Sequence, residues 1–243
     1  MRIYRTTSIL TVFLVFLCLP SFGLTGDSLR SKRMMYVKVA PEAAFSWQSP
    51  PPKKNSGFKH VPVFGFQISG GLLYSFHPHW QLECGLSVAR KGYRSVFEGN
   101  FRVNDQNDPV YQQLVGSEYS VESTLSYYFA TLPVRISGTF GNGRLKFLAS
   151  LGLEPGYAFY GNKLYEEYMN GTTTRTRKDF KPDPRINLFA EAGAGIEYRV
   201  TPTSYLRALP FFSVGLVNLG QSSTSYRLCQ AGMSLGWFWG KKK

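Results

Sequence analysis

Between Trp80 and Tyr93, apolar and polar positions alternate with a period of two. Trp80, Leu82, Cys84, Leu86 and Val88 share one face of an extended chain, and Gln81, Glu83, Gly85, Ser87, Ala89 and Lys91 share the other. Seven more stretches follow the same rule, which predicts eight strands near 34–47, 62–76, 80–93, 121–137, 144–160, 186–200, 205–219 and 226–239. Their connections alternate in length. Those near 48–61, 94–120, 161–185 and 220–225 are the longer set, and those near 77–79, 138–143 and 201–204 are short. Such a rhythm predicts an all-β protein, an eight-stranded antiparallel up-and-down transmembrane β-barrel. In that fold short turns face the periplasm and long loops face outward, so both chain ends are expected in the periplasm.

The ends of the strands carry aromatic residues, as membrane interfaces favour. Phe76, Trp80, Tyr198, Tyr205, Trp237 and Trp239 are expected to ring the periplasmic rim; Phe45, Trp47, Phe64, Tyr157 and Phe159 are expected at the outer one. Gly141-Asn142-Gly143 supplies the positive φ values of a tight hairpin. Pro41, Pro133, Pro155 and Pro210 run against the pattern, because a closed barrel has no free edge, and bulges are expected at each.

Residues 1–23 carry Arg2 and Arg5, an apolar run from Ile9 to Leu19 and small residues at Ser21 and Gly23, which predicts a cleaved secretion signal. The run is too short for a spanning helix, and no later stretch approaches the roughly 20 apolar residues one requires. A short periplasmic segment, 24–33, then precedes a barrel over 34–239 and a basic tail at 240–243. Without Arg2 and Arg5 the chain has 26 Lys and Arg against 15 Asp and Glu, a formal charge of +11. The charge is dispersed over connections and the tail, so no nucleic-acid partner is expected; lipid and lipopolysaccharide phosphates are the acidic neighbours of an exported barrel. Cys84 and Cys229 fall on lipid-facing positions of strands that are not neighbours, which predicts two free thiols.

Several segments together resemble the PorT-like outer-membrane β-barrel domain family, known largely from Bacteroidetes. They are Leu82 to Tyr93 (LECGLSVARKGY), Ala130 to Ile136 (ATLPVRI), Leu151 to Tyr160 (LGLEPGYAFY), Ala190 to Tyr198 (AEAGAGIEY) and Ser213 to Leu219 (SVGLVNL). The resemblance covers most of the chain from Met34 onward and implies an outer-membrane barrel. An accessory role in a protein secretion apparatus, the role of the name-giving member, is what it implies beyond that, and no local motif ties this chain to that member.

An eight-stranded barrel has an interior that side chains can fill, so a general porin is excluded. Its inward positions include Lys38, Glu42, Glu83, Lys91, Arg135, Lys146, Glu154, Glu191, Glu197, Arg199 and Arg207, which are expected to pair as an ion network, since buried charges must. No cofactor and no metal site is expected: His77 and His79 flank a proline in a turn without visible partners. A lipid-modifying enzyme needs a nucleophile and a base near the outer leaflet; only His60 stands near that rim, with no Ser or acid assignable to it from sequence. The chain is therefore expected to be a non-enzymatic, monomeric barrel. The third outer loop reads as a hairpin around Asn170-Gly171 with Glu166 opposite Arg175. Arg175, Arg177, Lys178, Lys181 and Arg185 make it a candidate binding surface.

Overall fold

The computed structural model describes residues 32–49, 58–99, 119–169, 172–218 and 225–240. The expected secretion signal, the basic tail from Lys241 and the hairpin residues Asn170 and Gly171 lie outside them. Eleven strands run in chain order as β1 (Lys32–Ser49), β2 (Phe58–Val61), β3 (Val63–Ser75), β4 (Trp80–Gly99), β5 (Tyr119–Thr131), β6 (Val134–Phe140), β7 (Leu145–Met169), β8 (Thr172–Phe180), β9 (Ile186–Thr201), β10 (Ser204–Gly215) and β11 (Ser225–Trp239). Three of the eight walls are split in two. β2 continues β3 along β4, β5 and β6 share one wall between β4 and β7, and β8 and β9 both pair with β7.

The sheet closes because β1 pairs with both β3 and β11. Following paired residues once around, Met34 leads to Leu73, Glu83, Arg135, Gly152, Glu191, Ser213, Gln230 and back to Ala44 on the starting strand. The return is ten residues further on. With a rise of about 3.4 Å and a spacing of about 4.8 Å, a stagger of ten over eight walls inclines the strands by about 40°.

Alternation then sorts the side chains. Phe64, Ile68, Leu86, Phe147, Leu151 and Leu153 stand exposed on the outside, while the inward set is buried. An exposed apolar belt of this extent is unstable in water and matches a hydrocarbon surround. Gly141 and Gly143 adopt φ of +102° and +105°, as the hairpin requires.

The prolines behave differently from expectation. Pro133 lies between β5 and β6, and the register is the same on both sides of it and of Pro41, Pro155 and Pro210. Each missing N–H interrupts one ladder locally, and the flanking pairs keep the strand in step. The register shifts lie instead between Tyr128 and Phe129 and between Ser204 and Tyr205. Tyr205 has the inward parity of Arg207 and faces Phe238 on β11, so it packs on Met34, Tyr36, Leu73 and Phe238 rather than joining the aromatic rim. Cys84 and Cys229 are both free thiols. Cys229 keeps its outward parity between Phe45 and Val214 but is buried rather than lipid-exposed.

Candidate functional site

The interior is layered along the barrel axis. At the short-turn end Met34, Tyr36, Leu73 and Phe238 form an apolar plug, with the Tyr36 and Phe238 rings 5.3 Å apart. At the long-loop end Tyr93, Tyr127, Phe129, Ala158, Phe189 and Leu228 form a second one. Phe129 meets Phe189 edge-on at 5.4 Å, and Phe180 from β8 folds in over Gly161 to meet Tyr127 edge-on at 5.5 Å. Charges fill the layer between the plugs.

Arg135, on β6, is the centre of that layer. Its Nε and Nη2 donate to Glu191 at 2.6 and 2.8 Å, Nη1 donates to Glu83 at 3.1 Å, and Nη2 also donates to Glu154 at 3.2 Å. One guanidinium thus meets three carboxylates from β4, β7 and β9, using the planar fork that makes arginine suited to bidentate pairing. Lys38 donates to Glu83 from the opposite side. Lys91 donates to Glu154 at 3.4 Å and to Gln230 at 3.1 Å, and its ammonium stands 3.9 Å from the centre of the Phe189 ring. Arg207 donates to Glu197 through Nε at 2.8 Å and Nη2 at 2.6 Å, and also donates to Gln81.

Nine charged side chains are buried among the described residues, five glutamates and four cations. Glu42 is the acid left over. Neither of its oxygens has a hydrogen-bond partner among the described residues, and Gly65 and Gly232 on the flanking strands leave it room: a Cβ at either would lie 2.9 Å from Glu42 atoms. The space between Arg135 and Arg207 is about 10 Å³, at the limit for a single water.

Besides Glu42, which is buried as expected but not paired, two residues expected in this network are outside it. Lys146 is half-buried and Arg199 is exposed, and neither has a carboxylate within 4 Å among the described residues. Both keep the inward parity, but they lie at the rim beyond the apolar plug, where water solvates them. Glu197, opposite Lys146 in register, is taken by Arg207 instead.

Outside the plugs, β7 and β8 continue as a ribbon at the long-loop end, with β5 and β4 extending alongside β7. Glu166 and Arg175 face each other and pair at 2.9 Å, in the register the sequence predicts. Arg175, Arg177, Lys178, Lys181 and Arg185 are all exposed. Arg177 is held by the Tyr160 hydroxyl at 3.1 Å and by Asp179 at 3.5 Å, contacts that push its pKa up. Lys163 and Lys178 are opposed directly across the strands, like charges side by side.

His60, on β2, has a surrounding that sequence spacing did not reveal. The Ser95 hydroxyl lies 3.1 Å from its Nδ1 and the Ser46 hydroxyl 3.4 Å, with the Tyr93 ring edge-on at 5.9 Å. Burial holds its pKa below the usual 6.5. Ser95 is its register partner, a pairing legible only once β2 is known to return along β4. His77 and His79 stay in the turn, with His79 Nδ1 3.1 Å from the Thr139 carbonyl, and no three metal-ligating side chains gather among the described residues. On the outer wall a shallow concavity of about 730 Å³ lies over Gly138, Ala149, Ala192 and Ala194, between Trp80 and Phe212.

No curated protein matches the chain. Among solved structures, Neisserial surface protein A is 12% identical with a TM-score of 0.37, over 83% of this chain and 95% of that one. Ail of Yersinia pestis, solved with the heparin analogue sucrose octasulfate, is 11% identical with a TM-score of 0.33, over 86% and 99%. The outer membrane protease OmpT from Escherichia coli is 9% identical with a TM-score of 0.38, over 88% and 99%. The family model for the outer membrane protein beta-barrel domain matches residues 30–216, more than half of the chain. That match covers ten of the eleven strands of the closed, apolar-belted barrel, and the chain belongs to the outer membrane protein beta-barrel domain family and resides in the outer membrane.

Proposed function

We propose that this protein is a sealed, non-enzymatic outer-membrane barrel that acts at the cell surface, with its ribbon engaging acidic saccharide and phosphate groups there. In this reading the long-loop end faces outward and both termini lie in the periplasm, which follows the habit of short periplasmic turns. The observation that carries it is the ribbon itself. Beyond a plugged lumen, β8 and the connection after it expose Arg175, Arg177, Lys178, Lys181 and Arg185 at the edge of the extended wall and set Lys163 against Lys178. Like charges at opposed register positions are unfavourable, and an anion beside them offsets that cost. An acidic ligand would supply that anion.

Retention of the purified barrel on immobilised lipopolysaccharide tests this. The wild type is expected to elute at clearly higher salt than K163Q/K178Q/K181Q, because each cation adds to a screened attraction. Equal elution would refute the ribbon as the contact. Labelling of Thr174→Cys in intact cells by a membrane-impermeant maleimide tests the orientation separately.

The cluster of His60 with Ser95 and Ser46 favours one further reading, hydrolysis of a surface ester with a serine as nucleophile. Its hydroxyls follow the inward parity, over the lumen mouth rather than toward the lipid acyl chains. Lipid A mass spectra that differ between cells carrying the wild type and His60→Ala would support that reading. The PorT-like resemblance raises an accessory role in secretion; reduced secretion in a deletion strain would support it, and unchanged secretion would exclude it.

A further inference from the structure

The outward face of β4 is apolar from Trp80 through Leu82, Cys84, Leu86 and Val88, and the next outward side chain is Arg90. Ten residues at about 3.4 Å, inclined by about 40°, rise about 26 Å, close to the apolar band of about 25 Å that such barrels present. Arg90 therefore marks the upper edge of the hydrocarbon. On β7 the same ten-residue interval runs from Phe147 to Tyr157, both exposed, and the Tyr157 hydroxyl accepts a hydrogen bond from Arg185 Nη1 at 3.1 Å. The two arginines thus stand at one level on the lipid side of the wall.

Their partners set them apart from the neighbouring cations. Arg94 is paired with Glu122 at 3.2 Å, Arg175 with Glu166 at 2.9 Å, and Arg177 with Asp179 at 3.5 Å. Arg90 donates to the Ser126 hydroxyl at 3.2 Å and Arg185 to the Tyr157 hydroxyl, and among the described residues no carboxylate lies within 4 Å of either. Between them the wall carries Tyr128, the register partner of Arg90, and Tyr160, whose rings are 5.4 Å apart. Three strand spacings separate β4 from β9, about 14 Å along the wall. Two uncompensated guanidiniums, flanking tyrosines, thus face the headgroup layer at a fixed distance.

We propose that Arg90 and Arg185 bind the two phosphates of a bis-phosphorylated glycolipid of the surrounding leaflet, with Tyr128, Tyr157 and Tyr160 lying against its saccharide. The charge sign, the level at the hydrocarbon edge and the spacing select this occupant. A phospholipid with a single phosphate reaches one arginine only. The site shares Arg185 with the ribbon surface and adds Arg90 on β4, Tyr128 on β5 and Tyr157 and Tyr160 on β7, and it rests on the proposed orientation only for which leaflet supplies the lipid.

Native mass spectrometry of the detergent-purified barrel, titrated with bis-phosphoryl and mono-phosphoryl lipid A, tests the proposal. The wild type is expected to hold the bis-phosphoryl form about fivefold more tightly, the increment of one cation near an anionic surface. R90Q and R185Q, each confirmed as folded by heat-modifiable gel migration, are expected to lose that preference; K163Q/K178Q is expected to keep it. A wild type that holds both lipids equally, or variants that retain the preference, would overturn the proposal. Loss of the preference in K163Q/K178Q alone would overturn it too, by moving the phosphate to the ribbon. Because lipid binding in detergent is independent of orientation, failure here is separable from failure of the maleimide experiment.

Discussion

Replacing Arg135 by methionine removes the one cation that three buried carboxylates share, and the structure fixes how large the effect must be. The Arg135 side chain is 6% exposed and its partners Glu83, Glu154 and Glu191 are 3%, 2% and 5% exposed. Breaking a buried pair by removing one partner costs about 3–5 kcal/mol, because a desolvated charge is left without compensation. Glu83 keeps Lys38 and Glu154 keeps Lys91, but no other cation lies within 4 Å of Glu191 among the described residues. The loss in R135M is therefore expected at about 4 kcal/mol, dominated by Glu191. Arg175 and Glu166 provide the control, with similar geometry at 2.9 Å but an arginine side chain that is 70% exposed. Solvent and salt screen that pair, so R175Q is expected to cost no more than about 0.5 kcal/mol. Urea unfolding in phospholipid vesicles, followed by tryptophan emission, measures both. The double variant R135M/E191Q is expected to recover about 1–2 kcal/mol relative to R135M, since the uncompensated charge is gone. A loss below about 1 kcal/mol in R135M, or no recovery in the double variant, would show that water reaches the network and refute the sealed interior.

The plugs at both ends predict no steady current through the wild-type barrel in planar bilayers, and regular conductance steps would contradict them. Leu151→Arg, on the belt at mid-height, is expected to cost about 2–4 kcal/mol in vesicle unfolding, and a cost near zero would place that face away from lipid. Histidine-labelled NMR in micelles should find His60 titrating below 6.5, in line with its burial. The unfolded chain takes up that proton first, so the His60 contribution to stability is intact above about pH 6.5 and declines as pH falls through the folded value. A titration above 6.5 would contradict the burial.

Most of the barrel was legible in the chain because the relevant signal is local. Side-chain period in a strand is two, so parity alone assigns Leu86 outward and Glu83 inward, and the alternation of long and short connections fixes the up-and-down order. The pairing of Glu166 with Arg175 was equally readable, since a two-residue hairpin sets its own register. Parity could not say how far along the axis an inward residue lies. Lys146 and Arg199 share the parity of the buried charges yet sit at the wet rim, whereas Tyr205, on the same face as Arg207, lies against the apolar plug.

The sequence by itself determined the number of walls, the two faces of each and the membrane that such faces require. Tertiary structure alone decided which charges meet. Glu83, Arg135, Glu154 and Glu191 lie on four different strands, and they converge because the registers of successive walls set Glu83 beside Arg135, Arg135 beside Gly152 and Gly152 beside Glu191. Glu42 was left unpaired, His60 was set beside Ser95, and Arg90 and Arg185 came to one level at the lipid edge by the registers between walls. Alternation is written residue by residue, whereas the height at which strands meet around a ring is a property of the ring.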